Sequence, residues 1–268
     1  MIGETFPIPI RTASEVLAMS RRLSSALVIL ALATGAAQAA DDMTITLGGG
    51  LKTEPGWDGS KSYVLSPFPI IGLRFLRSPL TGEPTTDTGF GIAPSFRLLS
   101  KRSFGPASAM AGLPDVATAF EAGLTVDYTD RNWRAFATAR QGFGGHHGQI
   151  FELGLDGILH PMDRVTLEAG PRISFATSDY MRTYYGVSAA SSLATGVAAY
   201  APGGGYRGVG LAARATYDID RNWFVRADAS WTHLSDKIAD SPIMRAEGNR
   251  EQFSVGLGVA YRFGVNWR

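Results

Sequence analysis

Twelve residues near the C-terminus, Gln252-Phe253-Ser254-Val255-Gly256-Leu257-Gly258-Val259-Ala260-Tyr261-Arg262-Phe263, decide the fold. Phe253, Val255, Leu257, Val259, Tyr261 and Phe263 fall on one side of an extended chain, and the small or polar residues between them fall on the other. Side chains alternate across a strand with a period of two, so the segment reads as a β-strand with one apolar face.

The same split recurs upstream. Residues 120–128 set Phe120, Ala122, Leu124, Val126 and Tyr128 against Glu121, Gly123, Thr125 and Asp127. Residues 151–159 set Phe151, Leu153, Leu155 and Leu159 against Glu152 and Asp156, and residues 223–232 set Trp223, Val225, Ala227, Ala229 and Trp231 against Arg226, Asp228, Ser230 and Thr232. In 164–175, Val165, Leu167, Ala169, Ile173 and Phe175 oppose Arg164, Thr166, Glu168, Arg172 and Ser174.

A soluble sandwich alternates as well, so two further features carry the distinction. The strands run to about 10–13 residues, near the ~9–11 of a tilted membrane strand and above the ~5–6 usual in globular proteins. Tyr128, Trp133, Tyr217, Trp223, Trp231, Tyr261 and Phe263 sit at the ends of the apolar faces, where amphipathic rings form the girdles of a barrel in lipid. Every backbone amide in lipid needs an internal partner, so such a sheet must close. The expected fold is all-β, a closed antiparallel transmembrane β-barrel of outer-membrane type.

The charged residues keep to the other phase. Glu121, Asp127, Arg134, Arg140, Glu152, Asp156, Arg164, Glu168, Arg172, Arg214, Asp218, Arg226, Asp228 and Arg262 are therefore expected to face the lumen. With about ten strands the lumen is narrow. Mixed signs favour ion pairs that fill it, and a conducting path is the alternative.

Composition agrees: of 268 residues, 32 are glycine, 10% aromatic and 18% charged. The chain is too apolar for disorder, yet beyond residue 40 it has no apolar run near the ~20 residues of a spanning helix. It has no cysteine, which excludes disulfides and thiolate metal sites. Formal charge is +1, and removing residues 1–39, with Arg11, Arg21, Arg22, Glu4 and Glu15, leaves the remainder neutral. No nucleic-acid partner and no cofactor are expected.

The N-terminus reads as an export signal. Met19-Ser20-Arg21-Arg22 is basic, Leu23 to Ala33 is a compact apolar run, and Ala37-Gln38-Ala39 offers small residues at a peptidase spacing. Cleavage is expected after Ala39, with Ala40 as the alternative. Pro7, Pro9 and Glu15 do not suit a signal, so translation is expected to start at Met19. Residues 40–268 then form a single barrel in the outer membrane of a Gram-negative cell.

Strands are predicted at 43–50, 62–75, 87–98, 118–129, 132–142, 149–159, 163–176, 206–219, 222–234 and 250–263, ten in all, with eight to twelve compatible with the pattern. An even number puts both chain ends on the periplasmic side. Asp130-Arg131-Asn132, Asp220-Arg221-Asn222 and His160-Pro161-Met162-Asp163 read as short periplasmic turns; the connection at 76–86 is long for one. Outer loops are expected at 51–61, 99–117, 143–148, 177–205 and 235–249. The alternating end in Tyr261-Arg262-Phe263 resembles the C-terminal signal read by the outer-membrane assembly machinery, although Gly264 to Arg268 follow it.

The chain resembles the MipA/OmpV family of outer-membrane proteins. The resemblance rests on Gly48-Gly49-Gly50, Pro55-Gly56-Trp57-Asp58-Gly59-Ser60, Ser66-Pro67-Phe68-Pro69 and Tyr184-Tyr185-Gly186-Val187-Ser188. Tyr200, Gly203-Gly204-Gly205, Ser241-Pro242-Ile243 and Gly258-Val259-Ala260-Tyr261-Arg262-Phe263 complete it. It implies a scaffold that interacts with a murein transglycosylase and a penicillin-binding protein, or a role in adhesion or osmotic response. No binding motif for such partners maps onto this sequence.

Catalysis is not expected. A lipid-modifying barrel needs a Ser–His pair at the lipid-facing rim, and His233 beside Ser235 and Asp236 is the candidate; the plainer reading is a girdle histidine. His146-His147 could hold a metal ion, but adjacent histidines lack a fixed ligand geometry, and a solvated loop is the expectation. Gly142-Phe143-Gly144-Gly145 and Gly203-Gly204-Gly205 stand outside any βαβ unit, so they read as flexible outer loops rather than phosphate cradles.

Overall fold

The computed structural model describes residues 43–75 and 89–266. The expected signal region and the whole of the 76–86 connection lie outside the described residues. Among the described residues ten strands form: β1 (Met43–Pro55), β2 (Tyr63–Phe75), β3 (Gly89–Leu99), β4 (Ala119–Thr129) and β5 (Trp133–Gly144) are followed by β6 (Gln149–Met162), β7 (Val165–Ala176), β8 (Gly205–Asp218), β9 (Trp223–Leu234) and β10 (Glu251–Val265).

All pair antiparallel in the order β2-β1-β10-β9-β8-β7-β6-β5-β4-β3. The last strand joins the first, Leu51 opposite Leu257 and Leu47 opposite Tyr261, so the sheet curls into a nearly closed barrel with β2 and β3 at its ends. Leu51, Leu65, Ile92, Leu124, Leu159 and Val255 are exposed on its outer surface. An apolar face this continuous belongs against lipid rather than water. On the inner phase, Ile70, Phe224 and Ala260 are buried with Phe68 against them.

β1 runs five residues past its predicted end, because Leu51 to Pro55 keep pairing with β2 up to Pro55–Tyr63. Gly142 to Gly144, predicted as loop, belong to β5. Gly205 opens β8 and the Gly204 amide donates to Ser178 Oγ, so the second glycine run is held as well.

Short turns gather at one end of the barrel. Asp220 accepts from the amides of Asn222 and Trp223, an Asx turn. Those two donors hold its carboxyl below the ordinary range. At the other end the predicted loops contain helices: α1 (Ser178–Tyr185), α2 (Ala189–Thr195), α3 (Asp236–Ala239) and α4 (Pro242–Glu247). Ser188 Oγ caps α2 by accepting from Ser191 N, and Ser241 with Pro242 opens α4.

Candidate functional site

The loop end is closed by a plug organised around Asp58. This carboxylate is buried and accepts from Tyr180 Oη (2.6 Å), Tyr185 Oη (2.5 Å) and Arg207 Nε (3.0 Å), with Arg207 Nη2 on its other oxygen. Arg97 stands 3.7 Å away. Burial works to raise the Asp58 pKa, and the Arg207 and Arg97 charges overcome it, holding the carboxyl well below its usual range. Burial and the Asp58 charge push the Tyr180 and Tyr185 phenols up, so both remain donors.

Further contacts lock α1 over the mouth. Buried Arg102 donates through Nη1 to the Tyr184 carbonyl and through Nη2 to the Pro114 carbonyl (3.2 Å), supplying cationic donors where the helix C-terminus leaves carbonyls unpaired. Burial lowers its pKa to about 10. Ser241 Oγ donates to the Tyr185 carbonyl (2.6 Å), and Gln252 Oε1 accepts from Gly59 N (3.0 Å) while its Nε2 donates to Ser60 O. Beneath these bonds Trp57, Met181, Leu234, Ile238, Ile243 and Met244 pack together.

Four of the segments that carry the family resemblance thus meet in space. Pro55–Ser60 supplies Asp58, Tyr184–Ser188 ends α1, Val187 bridges Tyr200, and Ser241–Ile243 starts α4. The sequence assigns no role to Asp58, Arg97, Arg102, Tyr180 or Arg207. Only the inward phase of Arg97 in β3 and Arg207 in β8 hints at one.

Below the plug, charged side chains pair along the inner face of the wall, mostly between neighbouring strands, with Arg262 of β10 reaching past β9 to Asp218 of β8. Arg140 meets Glu121 (3.0 Å), Arg134 meets Asp127 (3.5 Å), Arg172 meets Asp156 (2.6 Å) and Arg262 meets Asp218 (2.7 Å). Arg214 lies between Glu168 (3.0 Å) and Asp228 (3.1 Å), and Arg226 also takes Asp228 (2.5 Å). Glu152 lines the cavity under the plug. Arg164 departs from the expectation: β7 starts at Val165, two residues after the predicted start at 163, so Arg164 sits exposed in the turn and donates to the Ile219 carbonyl (3.3 Å).

Inward aromatic rings join this network, which the sequence does not single out. Phe136 lies under both Arg134 (5.1 Å) and Arg172 (4.8 Å), Phe68 under Arg226 (5.1 Å) and Phe224 under Arg262 (4.2 Å). A cavity of about 260 Å³ lies between this belt and the plug, and one of about 630 Å³ opens at the turn end. The two share no lining residue.

The aromatic residues predicted as a girdle cluster mainly near the turn end. Tyr128 packs on Trp133 (5.4 Å between ring centroids), and Tyr261 packs on Trp223 (5.0 Å) and Phe263 (4.5 Å). Tyr217 is exposed on the outer phase. Trp231 lies towards the loop end, its Nε1 donating to Glu251.

His146 corrects the expectation of a solvated loop. It is buried edge-on against Tyr180 (5.0 Å) and Tyr184 (5.5 Å) because the ring lies over Gly142, where a β-carbon would come within 2.1 Å of it. Its Nε2 stands 3.4 Å from Glu121 Oε1, and neither ring nitrogen is hydrogen-bonded among the described residues. A buried polar group without a bond contributes little that an apolar ring of the same shape cannot. His146→Phe is therefore expected to leave folding stability within about 1 kcal/mol of wild type in a urea titration at neutral pH. A loss above about 3 kcal/mol would show that the imidazole bonds in place.

His233 bonds through Nδ1 to the Glu251 carboxylate, and among the described residues no hydrogen bond joins it to Ser235. Ser235 instead donates its amide to the Arg207 carbonyl (2.8 Å). The described residues hold no group of three metal-ligating side chains, His146 and His147 included.

The chain is similar to known proteins in sequence and in fold. A family model described as MltA-interacting protein MipA matches residues 47–263. Outer membrane protein Omp26La of Vibrio anguillarum is 33% identical over 91 residues, 34% of this chain and 34% of that protein. Outer membrane protein OmpV of Vibrio cholerae serotype O1 is 34% identical over 91 residues, again 34% of each. The alignments therefore span about a third of the length of these curated relatives. Among solved structures, the COG4313 outer membrane channel from Pseudomonas putida F1 covers 84% of this chain and 97% of its own, at 13% identity and a TM-score of 0.43. The outer membrane protein OprG from Pseudomonas aeruginosa covers the same shares at 12% identity and a TM-score of 0.31.

Proposed function

The chain belongs to the MltA-interacting protein MipA family, and on that premise we propose that it is a non-catalytic outer-membrane barrel that docks enzymes of murein synthesis and hydrolysis. One observation carries this reading: the two cavities along the axis share no lining residue, and a belt of ion pairs and rings lies between them. A lumen built this way is suited to holding the wall rigid, which leaves the exposed ends to work by contact. The family description names a partner, MltA, and supports the choice of murein enzymes.

In this reading residues 19–39 export the chain, β10 presents it to the assembly machinery, and the turn end faces the periplasm. The clustered aromatic rings then stand at headgroup level on that side. The test is crosslinking in intact cells followed by mass spectrometry. Murein synthases or hydrolases are expected among the captured proteins, and a capture set with no cell-wall enzyme would remove the docking role.

A small solute pore is the second reading, favoured by the cavities themselves. Purified protein in planar bilayers is expected to show no steady unitary current. Reproducible single-channel steps would replace docking with transport.

A further inference from the structure

A further cavity, of about 510 Å³, opens at the loop end and shares no lining residue with the cavity under the plug. The 99–117 loop lines it with Arg102, Leu113 and Val116, and the 177–205 segment lines it with Arg182, Val187 and Ser191. An apolar lining with a few convergent polar groups, at a volume within ~300–1,000 Å³, is the make-up of a small-molecule site.

The charges in this cavity are out of balance. Arg102 is 3% exposed, and among the described residues no carboxylate stands within ion-pair distance of it. Its guanidinium carries more donors than it uses. Nη1 and Nη2 donate to the carbonyls of Tyr184 and Pro114, and Nε has no partner among the described residues. The carboxylate whose charge reaches it is Asp115, exposed on the same cavity and too far away to pair. Arg207, also buried, shows the contrast, since Asp58 lies directly against it. Burial draws the Arg102 pKa down because no paired carboxylate opposes it. Arg182, in the last turn of α1, is exposed, and among the described residues its side chain makes no hydrogen bond or ion pair. Two arginines against Asp115 leave the lining with one excess positive charge.

The wall at Ser191 is not filled from behind. No residue of α2 is buried, and Leu193 is 90% exposed. The helix is held by its caps, Ser188 Oγ at the start and Gly196 in the left-handed region (φ 75°) at the end. A helix fixed in this way does not pack into the space beside it, and the cavity stays open.

We propose that this cavity binds a small organic acid, an apolar or aromatic body bearing one carboxylate, with the anion towards Arg102 and Arg182 and the body against Leu113, Val116 and Val187. A single excess positive charge matches a monoanion, and Asp115 disfavours a dianion such as a phosphate monoester. The site goes beyond the docking role and rests on none of it.

The full chain, folded into detergent, is titrated with 4-fluorobenzoate and followed by fluorine NMR. One saturable site is expected, with a Kd below about 1 mM. The uncharged 4-fluorobenzamide, of the same shape, should bind at least about tenfold more weakly, the factor one charge-assisted hydrogen bond supplies. Arg182→Gln should weaken 4-fluorobenzoate by a similar factor. That variant carries the test because the Arg182 side chain is exposed, whereas Arg102→Gln also releases the Tyr184 carbonyl. Inorganic phosphate should not displace the probe. Equal binding of acid and amide, displacement by phosphate, or no saturable binding overturns the proposal.

The chain has no cysteine, so a single introduced thiol locates the site. Bound 4-fluorobenzoate should slow alkylation of Ser191→Cys, which lines the cavity, and leave Leu193→Cys, which does not, unchanged. Equal rates at Ser191→Cys with and without the acid would place its binding elsewhere and overturn the assignment.

Discussion

Replacing Asp58 by alanine is expected to release the plug while leaving the barrel wall assembled. The carboxylate gathers donors from α1 and β8, which are more than a hundred residues away in sequence, so it closes long loops at one buried point. Its loss leaves the Arg207 guanidinium buried without its counter-charge, and removing one partner of a buried pair costs about 3–5 kcal/mol. The wall does not depend on that point, because each strand is held by its neighbours. Limited proteolysis should cut within 177–204 and 235–250 while the band that resists detergent unfolding persists. Unchanged protection of both segments would refute the assignment. Asp58→Leu combined with Arg207→Met should recover part of the protection, since apolar groups of similar volume can replace a buried pair.

The pH dependence follows from the direction of the Asp58 shift. Its folded pKa lies below the unfolded value of about 3.9, so the stability it contributes is fully present above that value. It is lost as pH falls through the depressed folded pKa. Plug protection in wild type should therefore stay level from neutral pH to about pH 4, then decline. Asp58→Asn should be insensitive across the same range.

The wall was legible in the sequence because a barrel in lipid writes its pattern residue by residue. Leu153, Leu155 and Leu159 against Glu152 and Asp156 state the two faces of β6 without reference to any other strand. The plug was not legible, because nothing local distinguishes Asp58 in Gly56-Trp57-Asp58-Gly59 from an ordinary turn aspartate. Its role depends on Tyr180, Tyr185 and Arg207, brought to it only by closure of the sheet. His146 was misplaced for the same reason: glycine neighbours suggest exposure, but here Gly142 provides the space in which the ring is buried. The inward Phe68, Phe136 and Phe224 occupy the polar phase of their strands, so period alone could not mark them as platforms for arginines.

Gly50→Val is expected to abolish barrel assembly, whereas Gly49→Val should be tolerated. These neighbours point to opposite faces of β1. A β-carbon on Gly50 would fall 2.0 Å from the Leu257 carbonyl oxygen and 2.4 Å from the Gly258 α-carbon. These are backbone atoms of β10, held by the β9 ladder on the other side, so they cannot move aside as a flexible side chain would. Gly50 lies opposite Gly258 in a pair whose own amides bond elsewhere, the closest approach an antiparallel ladder makes. Overpacking a fitted contact costs about 1–3 kcal/mol even where neighbours yield, and here the contact is the one that joins first strand to last. On Gly49 the same atom would lie 3.8 Å from the Phe68 carbonyl, ordinary contact on the exposed face. A β-branched residue also suits a strand better than glycine. Refolding into detergent, followed by electrophoresis without heating, separates assembled from unfolded chain. Gly50→Val should reduce the assembled fraction at least about tenfold, matching a penalty above 1.4 kcal/mol, with Gly49→Val near wild type. Equal assembly of the two variants would mean that the first and last strands do not meet in this register, and the barrel would have to close elsewhere.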